Sequence, residues 1–78
     1  MNLDEYSKEQ LWKMLVDAVH GSFMYASHKA YVRDSILPSQ PEVSALELAE
    51  RLSIPIAEGI VILEELAEAK KAQAAQPK

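Results

Sequence analysis

The chain contains no cysteine, so no disulfide can staple it, and no recognisable metal cluster stands in for one. No apolar run approaches the ~20 residues a membrane-spanning helix needs. The start, Met1-Asn2-Leu3-Asp4-Glu5, is acidic where a secretory leader needs positive charge followed by an apolar stretch. These absences lead us to expect a cytoplasmic protein with no membrane partner. Cations are also scarce, 8 Lys and Arg against 12 Asp and Glu for a net charge of −4, which argues against nucleic-acid phosphates as the main partner.

Enzyme chemistry is missing as well. There is no Ser/His/Asp or Cys/His arrangement, no phosphate loop and no dinucleotide fingerprint, and the carboxylates spread along helix faces as solubilising charges usually do. The two histidines, His20 and His28, lie eight residues apart, about 12 Å along a helix at 1.5 Å per residue. That separation is too great for one metal without a sharp reversal at Gly21, so they read as ordinary solvent-facing or interfacial side chains. We expect no catalytic residue, no metal and no cofactor.

What remains is helical. At 78 residues and 49% apolar composition, the chain allows one small domain whose core is modest, which favours help from oligomerisation. Ser7 is a candidate N-cap, and from there to about Leu37 no proline intervenes. Leu11, Met14, Leu15, Ala18, Val19, Phe23, Tyr25 and Ala26 share a broad arc at 100° per residue. Past Ser27 the phase shifts, which predicts a kink, cheapest at Gly21-Ser22, and hence one bent helix or two helices with a tight joint. Trp12, Phe23, Tyr25 and Tyr31, at helical spacing, read as core residues.

Leu37-Pro38-Ser39-Gln40-Pro41-Glu42-Val43 is a linker, its prolines denying helix. At most two or three extended residues are expected near Glu42 to Ser44. Ser44-Ala45-Leu46-Glu47 is a capping box opening a helix through Leu52, with Glu47 and Arg51 in favourable i, i+4 order. Ser53-Ile54-Pro55 interrupts, and a further helix runs from Ile56 to about Lys71. Residues 1–71 thus form a single all-α domain, with 72–78 expected as a frayed or disordered tail.

Glu47-Leu48-Ala49-Glu50-Arg51-Leu52-Ser53-Ile54-Pro55 followed by Leu63-Glu64-Glu65-Leu66 resembles the helix-turn-helix core of winged-helix regulators, over roughly residues 43–68. The resemblance implies a DNA-binding regulator whose last helix reads bases. Yet the matching exposed positions, Pro55, Ile56, Glu58, Ile60 and Val61, carry none of the Arg, Lys, Asn or Gln side chains that read base edges. No alternation fit for a wing hairpin follows in residues 67–78. Gly59 replaces the family's usual core valine or isoleucine, reading equally as a place for close backbone approach or as a tolerated helix defect.

The expected function is therefore a protein-interaction module, self-associating most simply as a homodimer, with Ile56, Ile60 and Val61 as the interface. The alternatives are a small DNA-binding regulator that contacts phosphate through Lys29 and Arg33, and a non-catalytic accessory subunit bound to a larger enzyme.

Overall fold

The computed structural model describes residues 6–75, with side chains described through residue 73; the first five residues and the last three of the expected tail lie outside. Among the described residues the fold is all-α with no strand, in the order α1 (Lys8–His20), α2 (Tyr25–Tyr31), a π-helical turn (Val32–Ile36), α3 (Ala45–Leu52) and α4 (Ile56–Ala75). No extended pairing forms near Glu42 to Ser44.

Both expected caps form. The Ser7 hydroxyl accepts from the Gln10 amide at 3.1 Å, and the Gln10 side chain returns to the Ser7 amide at 2.8 Å. Ser44 and Glu47 repeat this reciprocal pattern at the start of α3, satisfying amides that have no partner within the helix. Because Glu47 is committed there, it forms no ion pair with Arg51, which instead donates to the Gln40 side chain.

The first helical stretch is two helices, divided over residues 21–24. Gly21 keeps an ordinary φ of −76°, so the break owes nothing to a left-handed glycine and follows from the low helix propensity of the Gly-Ser pair. A π-helical turn follows α2, in which the Leu37 amide reaches back five residues to the Val32 carbonyl at 2.9 Å. Val32 and Ile36, four residues apart and so on one face, are both buried.

The core gathers Val19, Tyr25, Val32, Ile36, Val43, Leu48, Ile54, Val61 and Ile62, with Trp12, Leu15, Val16, Leu63 and Leu66 packed against it. The aromatic expectation holds only in part: Tyr25 is buried and Trp12 half-buried, while Tyr31 is exposed and Phe23, at the α1–α2 turn, is 97% exposed. Ser53 takes the left-handed conformation at φ 55° to end α3, and the Pro55 carbonyl accepts from Glu58 and Gly59 to begin α4. Helix α4 continues through Ala75, past the expected end near Lys71, as the strong helix formers of residues 72–75 favour.

Gly59 marks where α3 and α4 meet. A Cβ there would lie 2.9 Å from the Ala45 carbonyl oxygen, closer than real Cβ contacts come, so the backbones pass at a distance only glycine permits. Of the two readings of this residue, close approach is the one realised.

Candidate functional site

Helix α4 organises the molecule, and its two sides differ in chemistry. The inner side carries Glu58, Val61, Ile62 and Glu65, all turned toward α1 and α2 or into the core. Val61 is fully buried, so it does not belong to the outward surface where the sequence placed it. The physical reason is that α1 and α2 fold over this side of α4, supplying a cover that a helix pair considered alone lacks. Ile56 and Ile60, by contrast, remain 49% and 40% exposed, and Leu46 at the start of α3 is 56% exposed.

The carboxylates of the inner side are not solubilising charges. Glu58 is only 4% exposed; it pairs with His28 Nδ1 and accepts a hydrogen bond from the Ser22 hydroxyl at 3.4 Å. Two turns on, Glu65 gathers His20 Nε2 at 2.7 Å, Lys29 Nζ at 3.0 Å and the Tyr25 hydroxyl, which donates to it. The His20 ring also tilts against Tyr25 at 5.1 Å between centroids. No buried side-chain polar atom among the described residues lacks a partner.

Burial by itself would raise the Glu65 carboxyl, but hydrogen bonds from Tyr25, Lys29 and His20 prevail and hold it below the ordinary carboxylate value. Tyr25 moves the opposite way: burial, then its hydrogen bond to Glu65 and the nearby negative charges, push its hydroxyl well above the usual tyrosine range.

The two histidines thus serve different carboxylates and do not converge. Among the described residues no three His, Cys, Asp or Glu side chains are placed to hold one metal ion. Ser22, Glu58 and His28 contain the residue types of a nucleophilic triad in the wrong order. In a triad the imidazole bridges hydroxyl and acid, whereas here the carboxylate bridges hydroxyl and imidazole, so Ser22 meets the acid and not the imidazole. The arrangement ties α1, the turn and α2 to α4.

The cationic pair that the DNA-binding alternative would bring to phosphate is already engaged. Lys29 is held by Glu65, and Arg33 forms a two-point ion pair with its neighbour Asp34 at 2.8 and 2.9 Å, which raises the guanidinium and lowers the Asp34 carboxyl from their ordinary values. Residues on α4 seven positions apart share a face, so Glu58, Glu65 and the buried Val61 and Ile62 form a phase that periodicity alone exposes. That signal was present in the sequence; which side of α4 the first helices would cover was not.

Beyond the linker, Leu37, Pro38, Pro41 and Val43 face Leu63, Leu66 and Ala67 across a groove of about 490 Å³, with Arg33 and Lys70 also lining it. None of the described helices is long and apolar enough to cross a membrane. Neither protein-family models, nor curated proteins, nor solved structures yield a match to this chain.

Proposed function

We propose that the chain is a small cytoplasmic protein-interaction module that self-associates, most simply as a dimer, through the α3–α4 pair. One observation carries this reading: after the core has closed, Ile56 and Ile60 still stand in solvent one turn apart on α4. Small monomers rarely leave such branched side chains grouped and bare, and twofold pairing is the commonest way to cover them. Leu46, exposed at the start of α3, adds to the apolar surface of the same helix pair.

The helix-turn-helix resemblance supports the shape of this module more than its usual ligand. A DNA-binding role draws less support, because Lys29 and Arg33 would have to leave Glu65 and Asp34 to meet phosphate. An accessory role beside a larger protein would use Phe23 as its natural point of contact, given its near-complete exposure.

Light scattering tests the proposal. The wild-type chain is expected at about twice its 8.7 kDa mass, and the double variant Ile56→Glu, Ile60→Glu at the monomer mass with its helical content retained. A wild-type chain that stays monomeric at high micromolar concentration, or a double variant whose oligomer is undisturbed, defeats it.

A further inference from the structure

We infer that α4 pairs antiparallel with α4 of a second copy, so that Ile56 of each chain seats at the groove of the other. This rests on the self-association reading and adds its geometry. Ile56, Ile60, Leu63, Ala67 and Lys70 follow one another at steps of four, three, four and three, the spacing of a coiled-coil seam. The structure leaves that seam outward: Ile56, Ile60, Ala67 and Lys70 are exposed and Leu63 half-buried, while the opposite side is committed to the core and the carboxylate contacts.

The two ends of the seam have complementary shapes. At the start of α4, Ile56 and Ile60 protrude. Towards its end, Leu63, Leu66 and Ala67 form one wall of the 490 Å³ groove, faced by Leu37, Pro38, Pro41 and Val43. Ile56 and Ala67 are separated by about 16 Å of helix at 1.5 Å per residue. Reversing one copy about a twofold axis that crosses the seam between Ile60 and Leu63 lays Ile56 on Ala67 and Ile60 on Leu63, then repeats both contacts by symmetry. The interface closes on itself and leaves no free end to propagate.

Charge and backbone chemistry select this orientation and this occupant. Parallel pairing would stack Lys70 on Lys70 within the seam and set Ile56 on Ile56, leaving both grooves unfilled. Antiparallel pairing carries Lys70 to Ser53 in the α3–α4 turn of the second copy, one turn from the exposed Glu50 at the end of α3, exchanging like charges for opposite ones. The groove walls are a helix whose backbone is already paired and a linker with two prolines that lack N–H groups. An extended peptide finds little there to bond, whereas a helix brings its own satisfied backbone.

A chain without cysteine makes the test clean. Ile56→Cys and Ala67→Cys variants are mixed, allowed to exchange and treated with a short bismaleimide; Glu50→Cys and Lys70→Cys, outside the apolar contact, form a second pair. Each mixture is expected to give at least tenfold more cross-linked dimer than either of its variants alone. Stronger cross-linking of Ile56→Cys to itself shows parallel pairing and overturns the inference. Variants that remain dimeric by light scattering but cross-link in neither mixture place the interface elsewhere, leaving self-association intact and this geometry refuted. Monomeric wild-type protein removes both.

Discussion

Against α3, helix α4 is held by contact of backbones at Gly59 and Ala45; against α1 and α2 it is held by two carboxylates that reach across to Ser22, His28, His20, Tyr25 and Lys29. The Gly59–Ala45 contact involves no titratable group and leaves no room for a Cβ. The second junction adds titratable side chains to its apolar contacts, so it depends in part on protonation. One helix is thus fixed by sterics on one flank and by electrostatics on another, and the two junctions should fail under different perturbations.

The largest effect should come from the polar junction. Glu58→Ala leaves His28 and Ser22 facing a space with no acceptor, and because Glu58 is nearly inaccessible the loss is expected to be about 3 kcal/mol, read as a lower urea midpoint. An unchanged midpoint would mean that the carboxylate contributes nothing to joining the two halves.

A smaller loss with a diagnostic sign is expected at the backbone junction. In an exposed helix, replacing glycine by alanine gains up to ~1 kcal/mol. Gly59→Ala should instead destabilise by about 1–2 kcal/mol, because the new methyl meets the Ala45 carbonyl and overpacking outweighs propensity. Gly21→Ala is the control: its Cβ would find the nearest atom at 3.4 Å with φ at −76°, so this variant should be neutral or slightly more stable. Equal signs for the two alanines in thermal unfolding would erase the distinction between the junctions.

The smallest effect is a dependence on pH confined to the polar junction. Glu65 has a depressed folded-state value, so its contribution is present above the ordinary 4.5 and lost as pH falls below that. Tyr25 is raised, so its contribution is complete below the ordinary 10.0 and lost as pH climbs beyond it. Stability should hold a plateau from these groups between those limits and decline outside them. Tyr25→Phe should cost about 1 kcal/mol at neutral pH, flatten the alkaline decline and weaken the acid one, since its hydroxyl is the first of the hydrogen bonds that lower Glu65. An alkaline limb that survives in Tyr25→Phe would assign it to other groups.

Local chemistry was legible in the residues themselves. Ser7 with Gln10 and Ser44 with Glu47 mark helix starts because a cap is completed within four residues, and the two prolines of the linker stop helices wherever they occur. The break near Gly21 and the turn at Ser53 also depend on short-range preferences, so the all-α class and most helix boundaries could be read directly. A surplus of apolar residues on α4 was also visible, but it marked Ile56, Ile60 and Val61 alike.

What the sequence left open was which surfaces of α4 would be covered. Val61 and Ile60 are adjacent and similar in hydropathy, yet one is enclosed and the other exposed, because α1 and α2 pack across only one side of the helix. The same packing converted Glu58 and Glu65 from apparent surface charges into the anchors of His28, His20, Tyr25 and Lys29, partners 30 to 45 residues away. Sequence by itself determined the all-α class and where α1, α3 and α4 begin, since caps and turns are settled within a turn or two of chain. Only the tertiary structure decided which residues are buried and which charges are paired, since those depend on which distant helix arrives against a given face.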